Sequence, residues 1–328
     1  MSSSDNHMTK ETFLKLKREL QQFIPIPQIF SHINTLLITF SPLQFQLAFI
    51  QHITRTSSPD HFDSGLLSKL SAYIFKKFDR IYSAAKYAFE DEFLDFFSAS
   101  TPRGDGKCDR FYELPNDEFI HIRCSESLIS DGTTGYSLWE ASVALLATLA
   151  VINNEYTPYF SNKRVLELGS GTGLGGLAIA AFVNPQNVIL SDVTQVHDAY
   201  THPNTLLNPF LSSKLDSTVL YWNDLALEAE EHASQYDTVI GCDLVYDPEV
   251  CALLFPALKA LLNAESSTIT SVILFCTLRN PKTFNDFVSD LQKEKNLSVA
   301  VKGLSYDPTN RIILNSIESF RIIIINKL

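Results

Sequence analysis

The sequence predicts an α/β fold: a seven-stranded, mostly parallel sheet ending in an antiparallel hairpin, preceded by a helical accessory region. Three observations predict it. From Arg164 onward, apolar runs of strand length alternate with segments of helix length. A glycine-rich turn, Gly169 to Gly173, joins the first of those strands to the first helix. The last two strand-like runs have no convincing helix between them, so they pair as a hairpin.

The elements follow in order. Residues 1–9 are polar and read as disordered. Lys10 to Phe97 reads as mostly helical. Thr12 to Leu16 opens one amphipathic segment, and Leu67 to Ala88 gives another, with apolar residues at helical spacing. No catalytic constellation occurs there, so the region reads as an accessory or docking part. Ser98 to Cys108 is rich in breakers, and the domain boundary is placed there, giving 1–104 and 105–328. A chain of 328 residues suits one large domain plus an extension, at roughly 150 residues per domain.

Phe119–Arg123 reads as a short strand and Asp131–Gly135 as a turn. Ser137 is positioned to cap an apolar helix, Leu138–Ile152. The sheet strands are Arg164–Leu168, Asn187–Ser191, Ser217–Tyr221, Thr238–Cys242, Ser271–Thr277, Leu297–Val301 and Ser319–Asn326. Helices are expected at Leu174–Phe182, Val196–Leu207, Glu249–Leu262 and Lys282–Lys293, with a short helix or loop at Ala226–Ser234.

Composition bounds the function. Hydrophobic residues make 45% and charged residues 19%, which allows a sizeable core and excludes wholesale disorder. Net charge is −11, and residues 1–100 balance at 10 basic and 10 acidic, so the remainder carries the whole excess. An acidic catalytic half repels naked nucleic acid and favours a basic partner or a protein surface. Acidity also serves plain solubility. The five cysteines form no C-x-x-C pair, a reduced, intracellular pattern. The eight histidines show no ligand spacing, and no metal is expected. The first twenty residues do not resemble a signal peptide. Phe23 to Ile50 is broken by Pro25, Pro27 and Pro42, so no membrane span is expected and the cytoplasm is the default location.

The chemistry concentrates at Glu167-Leu168-Gly169-Ser170-Gly171-Thr172-Gly173. Glycines let the backbone turn sharply and approach a ligand without a Cβ in the way. The helix N-terminus that follows offers free N–H groups to polar or anionic atoms. Gly171 to Gly176 also matches the dinucleotide fingerprint G-x-G-x-x-G, with Asp192 about twenty positions on to hold ribose hydroxyls. Three features favour a different cofactor. Counted from Gly169 at the strand end, the third fingerprint glycine would fall on Leu174. Glu167 precedes the loop in an E-x-G-x-G-x-G pattern. A helix precedes the first strand and a hairpin closes the sheet. Asp192 fits both cofactors and does not decide between them.

Glu167 to Gly173, Ser191-Asp192, Tyr221-Trp222-Asn223 and the D-x-x-Y element Asp243 to Tyr246 resemble the class I seven-β-strand methyltransferases of lysine methyltransferase family 16. Two further stretches are similar to the eukaryotic elongation factor 2 lysine methyltransferases within that family: Ser125 to Ala141, with Gly-Thr-Thr-Gly before Trp139, and Phe275 to Thr283, with Arg279-Asn280-Pro281. The likeness covers roughly residues 120–290, by motif order. It implies a Rossmann-like domain that binds S-adenosyl-L-methionine and methylates a lysine of elongation factor 2. A monomer is expected, and the charge and hydropathy patterns predict no direct nucleic-acid or membrane partner.

The resemblance also assigns roles. Glu167, Gly169, Gly171 and Gly173 would wrap the methionine and ribose portions. Asp192 would hold the ribose hydroxyls, and Trp222 with Asn223 would lie near the adenine. Trp139 would pack near the cofactor, although a tryptophan on an apolar helix also serves as core. Asp243 and Tyr246 would border the methyl-transfer site as the catalytic pair. A free lysine is mostly protonated near neutrality, at a pKa of about 10.4. Asp243 could orient the amine and Tyr246 add a π-face, while desolvation favours the neutral amine. The alternative is that Asp243 caps the next loop and that Tyr246 is core. For Arg279 and Asn280, substrate-facing and helix-entry roles are equally open before Pro281. Two rivals remain: a methyltransferase with another protein or small-molecule substrate, and a non-catalytic S-adenosylmethionine-binding scaffold.

Overall fold

The computed structural model describes residues 3–328 apart from 23, 25, 41, 57–60, 83–89, 99–104, 117, 128–133, 153, 307–311 and 315–316. The chain divides into two compact units, Met1–Glu126 and Ser127–Leu328.

The first unit holds helices Ser3–Gln21, Ile26–Thr39, Pro42–His52, Ser64–Tyr82 and Asp91–Ser98, then strands β1 (Lys107–Glu113) and β2 (Phe119–Ser125). Phe13, Leu16 and Leu20 recur at helical spacing and are fully buried. They join a phenylalanine core in which Phe49 and Phe93 meet edge to face at 5.2 Å. The helix begins at Ser3, so most of the polar stretch read as disordered is helical. Once the apolar stripe is docked, adding turns at its end costs little, because nucleation is already met.

Strand β1 escaped the sequence reading because charges interrupt its alternation. The structure pairs those charges across the hairpin. Asp109 is buried and accepts from His121 Nε2 at 2.9 Å and Arg123 Nε at 3.0 Å. The hairpin groups with the helices, so residues 105–126, assigned from sequence to the second domain, lie within the first unit. Residues 99–104 of the breaker-rich linker lie outside the described residues.

The second unit is the sheet and its helices. Its strands are β3 (Arg164–Leu168), β4 (Asn187–Asp192), β5 (Leu215–Val219), β6 (Thr238–Cys242), β7 (Ser271–Thr277), β8 (Leu297–Gly303) and β9 (Phe320–Lys327). Their order is β5-β4-β3-β6-β7-β9-β8. The first five run parallel, and β9 is antiparallel to both β7 and β8. The expected Rossmann-like sheet with its terminal hairpin is therefore present. The hairpin turns back so that β9, not β8, lies against β7. Order reverses direction at β3, where one crossover leads to β4 and a later one to β6, so ligands are expected at the carboxyl ends there.

Some elements differ from expectation. The helix after Ser137 runs Glu140–Leu149 with Trp139 at its N-cap. Ser137 donates instead to the Ser127 carbonyl at 2.6 Å, which spends its hydroxyl on the preceding loop. Residues 131–133 of the expected turn lie outside the described residues. The helix expected over Val196–Leu207 is broken into Thr194–Val196, a wider turn His197–Thr201, and His202–Leu206. Pro203 lacks the N–H that a regular helix needs there. The strand expected at Ser217–Tyr221 sits two residues earlier, because Trp222 already begins a helix, Trp222–Leu227. Among the described residues no helix is long and apolar enough to cross a membrane.

Candidate active site

Strand β3 ends in the glycine loop. Gly169, Gly171 and Gly173 all have left-handed φ, at 56°, 55° and 84°. Two of them are also required by space. A Cβ on Gly169 would stand 2.8 Å from Leu244 Cδ2 and 3.2 Å from the Trp222 ring. A Cβ on Gly171 would stand 3.1 Å from the Gly135 carbonyl oxygen. Side chains cannot occupy either place without displacing a wall of the cavity.

The loop is fastened from below. Ser191 Oγ donates to the Glu167 carbonyl at 2.7 Å, and Ser170 Oγ accepts from Ser191 N at 2.9 Å. Thr201 Oγ1 donates to Gly171 O at 2.6 Å, and Asn204 Nδ2 to Thr172 O at 2.8 Å. The broken helical stretch thus has a purpose: its side chains hold the loop's outward carbonyls.

Glu167 belongs to this support. It is 1% exposed, and its Oε2 accepts from Gly176 N at 2.9 Å. Burial pushes its carboxyl up to about 8, and the neighbouring Asp192 charge adds to the rise. Asp192, at the end of β4, accepts from Gly171 N at 2.7 Å and Val193 N at 2.8 Å. Burial raises it to about 6, against the lowering effect of those two backbone donors.

Asp243 follows β6 with a left-handed φ of 58° and is buried. Its Oδ1 accepts from Thr277 N at 2.6 Å. Its Oδ2 accepts from Thr277 Oγ1 at 3.0 Å, Arg279 Nη2 at 3.1 Å and Ala141 N at 3.4 Å. A carboxylate offers about four lone-pair sites. Three of the four donors fall on Oδ2 and one on Oδ1, so Asp243 ties the carboxyl end of β7 to the helix at Glu140 while Oδ1 keeps one acceptor site. The Arg279 guanidinium lies 4.1 Å over the Trp139 ring, whose Nε1 donates to Thr134 O at 2.9 Å.

These elements enclose a cavity of about 360 Å³. Of the residues named from sequence, Trp139, Gly169, Gly171, Asp192, Trp222, Asn223, Asp243 and Tyr246 line it, whereas Glu167 and Gly173 do not. The Arg279-Asn280 pair divides. Arg279 lines the cavity, while Asn280 caps the helix Pro281–Gln292, accepting from Lys282 N at 3.1 Å and Thr283 N at 3.3 Å. Sequence reasoning missed Leu244 and Thr277. Leu244 closes on Gly169, and Thr277 donates to both oxygens of Asp243. Only their position at strand carboxyl ends marked them. Among the described residues no group of three or more His, Cys, Asp or Glu is placed to hold a metal ion.

Residues 120–294 match the lysine methyltransferase family. The chain belongs to that family. Curated relatives include the human protein-lysine N-methyltransferase EEF2KMT, 37% identical over 193 residues, covering 56% of this chain and 57% of the relative. The mouse protein of the same name is 32% identical over 197 residues, covering 57% of each. The matched region thus spans little more than half the length of these relatives. Among solved structures, an O-methyltransferase from Bacillus cereus aligns with a TM-score of 0.41 at 14% identity, covering 58% of this chain and 83% of that one.

Proposed function

We propose that this protein is an S-adenosylmethionine-dependent protein-lysine N-methyltransferase whose target is a lysine of translation elongation factor 2. One observation carries the reading. The carboxyl ends of five adjacent parallel strands deliver the glycine loop, Asp192, Trp222, Asp243 and Arg279 to one cavity.

The residues present fit the cofactor. The backbone at Gly169 and Gly171 leaves room that a Cβ would fill. Asp192 supplies carboxylate oxygens where ribose hydroxyls would lie. Trp222 offers a flat ring packed against the core, with Asn223 beside it. Bound there, the cofactor's sulfonium supplies an activated methyl and a neutral leaving group.

The chain's own residues do the rest by placement. Tyr246 is half-buried at the cavity wall and gives an aromatic face to an approaching amine. Asp243 acts as a positioning residue: it fixes Arg279 and the start of the Glu140 helix, which carry Trp139. The mainly apolar lining of the cavity favours the neutral amine over the ammonium, which removes the main barrier to nucleophilic attack.

The substrate rests on less. It is supported by the likeness of Ser125–Ala141 and Phe275–Thr283 to elongation factor 2 methyltransferases and by relatives named EEF2KMT. The acid excess beyond residue 100 favours a protein surface over naked nucleic acid. Action as a cytoplasmic monomer is part of the same proposal.

The test uses radiolabelled S-adenosylmethionine and lysate from cells lacking the protein. A single labelled band at elongation factor 2, lost with Asp243→Ala, is expected. Label on a different protein or on metabolites would overturn the substrate. Cofactor binding without transfer would overturn the enzyme reading in favour of a scaffold.

A further inference from the structure

The cavity has a charge pattern that the proposed function does not use. Its charged lining residues are Asp192, Asp243 and Arg279. Arg279 is the sole Lys, Arg or His among the described lining residues. Its guanidinium donates one hydrogen bond, from Nη2 to Asp243 Oδ2 at 3.1 Å. A guanidinium carries five N–H donors in a planar fork. Among the described residues the remaining donors have no acceptor, although the side chain is only 36% exposed. One face is covered by Trp139. This is a cation held in place from two directions, with its fork still available. Such a fork matches a carboxylate.

Position narrows what carboxylate it meets. Along the sheet edge the order is Trp222 after β5, Asp192 at β4, the glycine loop after β3, Asp243 after β6 and Arg279 after β7. Strands stand about 4.8 Å apart, so β4 to β7 spans on the order of 14 Å. Arg279 reaches back over Asp243 and shortens that distance. A nucleoside seated at Trp222 and Asp192 lays any amino-acid tail across Gly169 toward Asp243. The tail of S-adenosylmethionine ends in an α-carboxylate. Both other charged groups among the described lining residues are acids, so of these only Arg279 can pair with it by charge.

We propose that Arg279 is the carboxylate-binding residue of this site and takes the α-carboxylate of the cofactor's amino-acid end. The proposal rests on the S-adenosylmethionine reading and deepens it. Asp243 and Trp139 then act as positioning residues for Arg279. Asp243 fixes one Nη, and Trp139 fixes the plane of the fork.

Isothermal titration tests it with two ligands that differ only in the carboxylate: S-adenosylmethionine and its decarboxylated form. No protein substrate is present, so an acidic side chain on a target protein cannot contribute. A charge-assisted, bidentate contact in a partly desolvated site corresponds to a preference of roughly tenfold to a hundredfold. The wild-type protein is expected to show that preference for the carboxylate ligand. In Arg279→Met the preference falls to about one, because the weaker ligand binds as before and the stronger one drops to meet it. Arg279→Lys restores part of it, since the charge returns without the fork.

Binding of the decarboxylated ligand reports that the variant is folded. If Arg279→Met keeps the wild-type preference, the proposal is wrong. It is equally wrong if both ligands weaken together, which is the mark of a residue that only holds Trp139 and Asp243 in place. A wild-type preference near one also overturns it. A wild-type protein that binds neither ligand overturns the cofactor reading itself, and this proposal with it.

Discussion

The most quantitative consequence of the site's construction concerns Glu167. Its carboxyl is raised from an ordinary value of 4.5 to about 8, chiefly by burial. At 1% exposure there is little solvent to screen that effect. Between those two pH values the unfolded chain has released the proton and the folded chain keeps it. Stability therefore falls as pH rises, by about 1.4 kcal/mol per unit, and the fall ends as pH passes the folded value. At neutral pH the accumulated loss is about 3 kcal/mol, a large part of a domain's net stability. The cleanest window is about pH 6.5 to 7.5. Asp192, raised to about 6, is mostly ionised across it and is common to both proteins. His52, lowered from 6.5, titrates alike in wild type and variant and so drops out of their difference. The perturbation is Glu167→Gln, which keeps an oxygen for Gly176 N and cannot ionise. The assay is urea unfolding followed by tryptophan fluorescence. Both tryptophans, Trp139 and Trp222, lie in the second unit, so the signal reports the unit that contains Glu167. Across that window the wild-type protein is expected to lose about 1 kcal/mol more than the variant. Equal slopes for the two proteins would refute the reasoning.

Two further predictions follow from the glycines. In Gly176→Ala the new Cβ would lie 2.1 Å from Leu190 Cδ2 and 3.0 Å from Val188 Cγ1, an overpacking cost of about 1–3 kcal/mol. Thermal unfolding should show a loss of about 2–4 °C for each kcal/mol, and an unchanged melting temperature would mean that the helix can shift freely. Gly171→Ala combines a left-handed φ of 55° with a 3.1 Å approach to Gly135 O, so strain alone costs about 1–2 kcal/mol. Binding of S-adenosylhomocysteine should weaken about tenfold or more by titration calorimetry, and undiminished affinity would separate the loop from the cofactor.

The sheet was legible because its strands are buried apolar runs bounded by turns, a signal that local sequence carries in full. Val165, Leu166 and Leu168 are each fully buried, as that pattern requires. Strand β1 was not legible, since its buried Asp109 acquires partners only through the fold. The helix over Val196–Leu207 misread for the same kind of reason: Pro203 broke it, and Thr201 and Asn204 were needed by the loop. In the site, the cavity-lining glycines, Asp192 and Trp222 could be named from spacing and resemblance. The direction of an acid at a strand end could not. Glu167 stands one residue inside β3 and points under the following helix, where Gly175 and Gly176 leave it room.

Two acids named as cofactor or catalytic residues also make structural bonds, and this bears on how an amine could react here. Glu167 is spent on Gly176, and Asp243 on Thr277, Ala141 and Arg279. Under the proposed function, an incoming lysine ammonium would meet the cofactor's sulfonium and the Arg279 guanidinium, with Asp243 already bonded to Thr277, Ala141 and Arg279. Like charge and desolvation both press it toward the neutral form. The D-x-x-Y element then contributes architecture through Asp243 and an aromatic wall through Tyr246. Transfer is governed by how firmly β6, β7 and the Glu140 helix hold those walls in place.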